Sequence, residues 1–167
     1  VTMTLHLVND IMPHVWAQRP DVKVWIVGKD PGREIRVLGE HTAVTVTGTV
    51  PDLRDYLRRA TVAATPIPYG AGVQNKVLEA MACGTPVVTT PQAVAALDVL
   101  PGRDVLVAET PRLFARTLLD LLDNTEQQSR LGQAGRTFTE KQHHWNGIVA
   151  QLETIYQKAI CLLYTSP

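Results

Sequence analysis

The 167-residue sequence predicts an α/β fold, a parallel sheet with helices on both faces. Three observations predict it. Short Val/Ile-rich runs alternate with helical patterns along the chain. The runs are continuously apolar rather than alternating, as expected of strands buried on both faces. Glycines close two of them, Gly28 after residues 22–27 and Gly48 after residues 44–47.

Each element has its own signal. Residues 3–18 place Leu5, Val8, Ile11, Met12, Val15 and Trp16 at helical spacing. Pro13 lies inside that pattern and predicts a kink or a restart. A first strand covers 22–27, a short helix 33–38 and a second strand 44–47. Asp52 is placed to cap a helix over 52–59. A third strand covers 62–65, a helix about 74–83, a fourth strand about 86–90 and a fifth 104–107. Thr110 caps a long helix in which Pro111 suits the first position. Further helices cover about 126–138 and 143–160. Residues 1–160 read as one domain. Residues 161–167 break the pattern of the last helix and read as a non-native or disordered tail. The chain opens on Val1, directly in a helical pattern, and reads as part of a longer protein.

Composition narrows the function classes. The hydrophobic fraction is 45% and the charged fraction 19%, ordinary for a globular domain. Lys+Arg and Asp+Glu both total 16, so bulk charge drives neither nucleic-acid nor anionic-membrane binding. Cys83 and Cys161 form no C-x-x-C pair, which leaves no zinc or redox motif and points to a reducing, cytoplasmic setting. Cys83 is expected as a small buried hydrophobe. No apolar run reaches the roughly 18 residues of a membrane span. His143 and His144 match no metal spacing, and no Ser-His-Asp set or paired-carboxylate arrangement is present. Trp16, Trp25 and Trp145 read as core or interdomain packing.

Chemistry concentrates in residues 66–90. A loop bearing Gly70 and Gly72 runs into a short apolar helix carrying Lys76 and Glu79. Gly84 stops that helix, and Pro86 leads into a β-branched strand. A loop feeding a helix N-terminus is a place to hold a phosphate. Lys76 adds positive charge, and Glu79 is suited to a pair of sugar hydroxyls. In a parallel sheet, ligands bind beyond the carboxyl ends of the strands. Gly28, Gly48, the 66–73 loop and the loop after Thr89 all lie at such ends. An ion pair between Lys76 and Glu79 would contribute only ~0.2–0.5 kcal/mol, too little to account for both residues. Glu79 stands among Leu78, Ala80, Met81 and Ala82, which predicts a half-buried carboxylate with a specific partner.

The string Gly70-Ala-Gly-x-x-x-Lys76-Val-Leu-Glu-Ala-Met-Ala-x-Gly-x-Pro-Val-Val-Thr-Thr90 closely resembles the donor-site signature of retaining glycosyltransferases, group 1, with the GT-B fold. The resemblance extends over about residues 3–160, including Val27-Gly28 and residues 46–50. It implies a Rossmann-like domain, the C-terminal, donor-binding half of such an enzyme. The acceptor-binding N-terminal domain and the first strand of this half are absent.

The resemblance also implies roles. Glu79 matches the second glutamate of a Glu-x7-Glu motif, which binds the nucleotide ribose. The backbone of Gly70, Ala71, Gly72 and Val73 matches the loop facing the diphosphate and sugar; a phosphate contact for Lys76 rests on its charge beside the helix start, apart from the resemblance. Thr49 and Val50 match positions whose backbone lies near the base. Ala71 stands where the family's first glutamate contacts the transferred sugar; a subgroup carries the same Gly-Ala-Gly-x-x-x-Lys pattern. No metal or other cofactor is expected. The whole enzyme would transfer a sugar from a nucleoside-diphosphate donor, and the isolated chain would be inactive. It would be cytoplasmic, with attachment to the inner membrane face left open. The alternatives are a GT-B nucleotide-sugar epimerase and a non-catalytic nucleotide-binding domain.

Overall fold

The computed structural model describes residues 1–69 and 72–164, apart from the side chains of residues 145, 146, 151 and 161–164. The chain runs α1 (Thr2–His6), a π-helical turn (Leu7–Ile11), α2 (Met12–Trp16), β1 (Val24–Val27), α3 (Arg33–Leu38), β2 (Val44–Gly48), α4 (Leu53–Arg59) and β3 (Ala63–Thr65). It continues through α5 (Asn75–Ala82), β4 (Val87–Thr89), α6 (Pro91–Val94), β5 (Leu106–Val107), α7 (Pro111–Leu122), α8 (Thr125–Gln142) and α9 (Trp145–Tyr164). Every strand pairing is parallel, so the carboxyl ends of paired strands share an edge. The ladders form two groups, β1-β2 and β3-β4-β5.

The strongest start and stop signals act as expected. Asp52 Oδ1 accepts from the Arg54 N–H at 2.8 Å, and Thr110 Oγ1 accepts from the Leu113 N–H at 3.3 Å. Gly48 and Gly84 adopt φ of 69° and 75°, where a side chain would be strained. The β1–β2 register shifts between Ile26 and Val27, so Gly48 closes β2 as part of a local irregularity.

Several expectations need correction. The restart expected at Pro13 is present, since α2 opens with Pro13 in its first turn, but the chain before it stays helical. The preceding turn widens, and the Met12 N–H reaches the Leu7 carbonyl. A π turn absorbs the misfit between the proline ring and the preceding helical turn. The fifth strand is only Leu106–Val107, with a bridge from Pro101 to Val105 before it. Asp104 turns inward and closes its own turn by accepting from the Leu100 N–H at 2.8 Å. Residues 91–94, expected as loop, form α6. Residues 161–164 continue α9. Residues 165–167 lie outside the described residues.

Two apolar clusters sandwich β4. On one side, Val88 packs with Ile11, Val15, Phe114, Leu118 and Leu121 of the first helices and α7. On the other, Val87 packs with Val77, Ala80, Met81, Ala93 and Phe138 of α5, α6 and α8. α8 reaches the second layer through two glycines. A Cβ at Gly132 would run into the Gly84 carbonyl, and one at Gly135 would meet Asp104 O at 3.1 Å and Met81 Cγ at 3.2 Å. Trp16 donates to the Val22 carbonyl and stacks on His41. Trp25 departs from the expected packing role in part: it is 41% exposed, with Tyr56 at its edge and Arg59 over its ring. No helix among the described residues is long and apolar enough to cross a membrane.

Two measurements test this packing. Gly132→Ala should lower the free energy of unfolding in urea by about 1–3 kcal/mol, the usual cost of overpacking. Gly147→Ala, with nothing within 4 Å, should cost nothing. The second concerns Asp104, which is 2% exposed. Burial pushes its carboxyl pKa up, but the Arg103 guanidinium and the Leu100 N–H outweigh burial and hold it below the ordinary carboxylate value. A depressed folded-state pKa contributes stability above the unfolded pKa of about 4, and that contribution fades as pH falls through the folded value. The stability gap between the chain and Asp104→Asn should therefore be widest near neutral pH and close in acid, as read by urea titrations across pH.

Candidate functional site

Four connections follow the carboxyl ends of the strands, two from the β1-β2 pair and two from the β3-β4-β5 group. After β1, the chain passes through Gly28 to Asp30, whose φ of 46° lies in the left-handed region. After β2 come Thr49, exposed, and Val50, half-buried. After β3, a loop leads to α5. After β4, Thr90 opens directly into α6.

The β3 connection carries most of the expected site. Pro66 and Ile67 are buried, whereas Tyr69 is 71% exposed, so the chain leaves the core within two residues. Gly70 and Ala71 lie outside the described residues. Gly72 has a φ of 77° and Val73 is 49% exposed. α5 then starts from Gln74, whose backbone is extended and whose side chain does not cap the helix. The helix has no acidic residue in its first turn. A helix start carries unsatisfied N–H groups and positive partial charge, which suits an anion.

Lys76 and Glu79 both stand on the exposed side of α5. Val77, Ala80 and Met81 take the buried positions, one helical stripe facing the core. The intervening residues therefore point outward. This corrects the half-buried, partnered glutamate expected from the neighbouring apolar residues: neither side chain has an ion pair or hydrogen bond among the described residues. Lys76 and Glu79 do not pair with each other. Cys83, one turn further on, is only partly buried rather than a core residue. Burial pushes its thiol pKa up.

A cleft of about 750 Å³ opens along the outer side of β2, between Asp30, Pro31, Arg36 and Glu40 on one side and Thr45 to Thr49 on the other. Among the described residues, Thr49 is the one expected site residue that lines it; Lys76 and Glu79 do not. Among the described residues, Thr49 and Val50 follow β2, Gly72, Val73, Lys76 and Glu79 lie between β3 and the middle of α5, and one cavity does not enclose them.

Sequence reasoning missed a buried threonine group under this edge. Thr65, Thr89 and Thr90 are 6%, 0% and 7% exposed. Thr65 Oγ1 donates to Thr89 Oγ1 at 2.9 Å, Thr89 Oγ1 donates to the Thr65 carbonyl at 2.9 Å, and Thr90 Oγ1 donates to the Ile67 carbonyl at 2.6 Å. A signal was available. Thr90-Pro91 repeats the helix-start pair Thr110-Pro111, and in both cases the threonine is the N-cap and the proline opens the helix.

Comparison with known proteins places this architecture. The family described as Glycosyl transferases group 1 matches residues 3–124. The chain is 30% identical over 162 residues to the GDP-mannose-dependent monoacylated alpha-(1-6)-phosphatidylinositol monomannoside mannosyltransferase of Corynebacterium glutamicum, covering 87% of this chain and 42% of that protein. It is 35% identical over 115 residues to the MMP alpha-(1->4)-mannosyltransferase of Mycolicibacterium hassiacum, covering 65% of this chain and 27% of that protein. Among solved structures, Anabaena Alr3699/HepE in complex with UDP and glucose superposes with a TM-score of 0.75 at 16% identity, over 88% of this chain and 43% of that one. The chain spans less than half the length of these relatives. The parallel strands, the helices on both faces and the match over residues 3–124 establish that the chain belongs to the glycosyl transferases group 1 family, with the Rossmann-like fold of one GT-B half.

Proposed function

We propose that residues 1–160 are the donor-binding half of a cytoplasmic glycosyltransferase that moves a sugar from a nucleoside-diphosphate donor to an acceptor, with retention at the anomeric carbon. The observation that carries this reading is the first two turns of α5. There an uncapped helix start, an exposed Lys76 and an exposed Glu79 stand together at the carboxyl edge with no partner of their own among the described residues. The diphosphate would lie against the α5 start and Lys76, the ribose hydroxyls on Glu79, and the base near the backbone of Thr49 and Val50. The Gly70–Val73 backbone would face the diphosphate and sugar. Stabilising charge on the departing diphosphate is the protein's main catalytic task here, supplied by N–H groups and one cation. No metal ion or other cofactor is part of the proposal. The two mannosyltransferases to which the chain is similar are transferases by name, which favours transfer over epimerisation.

The strand arrangement supports reading the chain as part of a larger assembly. β1 pairs with β2 and β3 with β4, yet Val24 of β1 and Ala64 of β3 pack against the same apolar cluster. In doubly wound sheets the strand order is commonly 3-2-1-4-5-6. The pair β2-β1 and the trio β3-β4-β5 fit the two sides of such an order. A further parallel strand of the full-length protein would join them, and its following loop would add to the diphosphate site. Acceptor contacts would come from the other GT-B domain.

Calorimetric titration of the chain with UDP, GDP and ADP tests the site. At least one should bind in the micromolar-to-millimolar range, and its base identifies the donor class. Lys76→Ala and Glu79→Ala should each weaken that binding about tenfold, the loss of one charge-assisted contact. Both should leave urea stability within about 0.5 kcal/mol, as befits exposed, unpaired side chains. A folded chain that bound none of the three at millimolar concentration would sink the reading.

A further inference from the structure

We propose that Thr90 is a positioning residue that locks the root of the loop after β3, at Ile67, to the start of α6, so that the roots of two connections of the candidate donor site are held together. The inference rests on the donor-site reading for its functional consequence, but its structural core stands on the threonine geometry.

The root of the β3 loop is held in three ways. The Ile67 N–H donates to the Thr65 carbonyl at 2.9 Å, closing a tight turn around Pro66. That carbonyl also accepts from Thr89 Oγ1. The Ile67 carbonyl accepts from Thr90 Oγ1 at 2.6 Å. Ile67 itself is buried against the cluster that contains Ala93 and Val94 of α6. Pro68 and Tyr69 are exposed, so Ile67 is the last buried residue before the chain leaves the sheet.

Thr90 has an unusual use for an N-cap. A threonine in that place ordinarily turns its hydroxyl to an N–H of the first helical turn, as Thr110 does for Leu113. Thr90 makes no such cap bond. Its hydroxyl crosses to the neighbouring loop instead, while its carbonyl accepts from Ala93 and starts α6. One residue thus holds the start of α6 with its backbone and the root of the β3 loop with its side chain. The setting is dry: Val87 and Val88 just upstream, like Thr89, are 0% exposed. Valine would fill a similar volume there without the cost of burying a hydroxyl, so the hydroxyls are explained by what they bond. A buried carbonyl deprived of its donor is costly, which makes the lock strong.

The consequence is mechanical. The loop that carries Gly72 and Val73 toward α5 starts from a point fixed by Thr90 and ends at the α5 start that presents Lys76. Releasing the first point would let the loop sample more conformations, and binding would have to re-order it.

The test compares the chain with Thr90→Val, Thr90→Ala and Thr90→Ser. Amide hydrogen exchange by NMR is read at Ile67, with Val88 and Met81 as core references. Both Val and Ala variants should exchange about tenfold or more faster at Ile67 with the references unchanged, and Ser should restore protection. The nucleotide that binds the parent chain should bind the Val and Ala variants about fivefold or more weakly, with recovery in Ser. Unchanged exchange at Ile67 would overturn the lock. So would equal acceleration at Val88 and Met81, or a Val and an Ala variant that both fail to fold, since each would make Thr90 a residue of general core stability. Local acceleration with unaltered nucleotide affinity would overturn the positioning role. If the parent chain bound no nucleotide, the donor-site reading would fall, and the exchange result would still decide the lock.

Discussion

The close approach of α8 to the turn between α5 and β4 is the contact on which the remaining architecture depends. Gly132 lets the α8 backbone sit against the Gly84 carbonyl, and Gly135 lets it sit against Met81 and Asp104. Packing at this distance fixes the end of α5 and the approach to β5 together. α5 then has one orientation available, with Val77, Ala80 and Met81 inward. That orientation sends Lys76 and Glu79 outward at the carboxyl edge. A contact at the far end of a short helix therefore sets where two charges stand at its near end. Close-packed interiors transmit such constraints because they have little free volume to absorb a shift.

The edge itself follows from strand direction. Parallel pairing puts the connections after β3 and β4 side by side, and the buried threonines join them. The helix start contributes partial positive charge, and no carboxylate in its first turn cancels it. Lys76 adds a full charge nearby. Positive charge is thus concentrated locally at the α5 start, in a chain whose formal charges balance overall, and the proposed diphosphate site draws on it. Local geometry, not net charge, creates that concentration.

Much of this was legible in the sequence. Periodicity and apolar runs located the strands and the longer helices, because burial on both faces leaves a pattern that needs no tertiary knowledge. Gly48, Gly84, Asp52 and Thr110 were legible because turn and cap chemistry is local. Other features were not, and three of them show why. The π turn before Pro13 is a compromise between a proline and the packing of Ile11 and Val15, both fully buried. Asp104 looked like a strand residue because its neighbours are apolar, and only the fold shows Arg103 and the Leu100 N–H receiving it. Glu79 was misplaced because a short run of apolar neighbours does not say which of them face the core; the phase of α5 against β4 decides that.

The outward position of Glu79 sharpens its chemistry rather than weakening it. A half-buried carboxylate would need a standing partner, since an unpaired one is costly to desolvate. That partner would have to be displaced before a ligand hydroxyl could take its place. Glu79 keeps both oxygens in water and available, so no internal bond is broken when a donor arrives. In the proposed donor site the cost would move to the binding step, where the carboxylate would lose solvent as the hydroxyls approach. A pair of hydroxyls offers two donors to two oxygens, and charge-assisted bonds of this kind are stronger than neutral ones. Rigidity then decides how much of that interaction appears as affinity. α5 is held at its far end by α8, and the loop before it is held at its root by Thr90. A free carboxylate on a fixed helix gains more from a ligand than a free carboxylate on a mobile one, because less disorder is removed on binding.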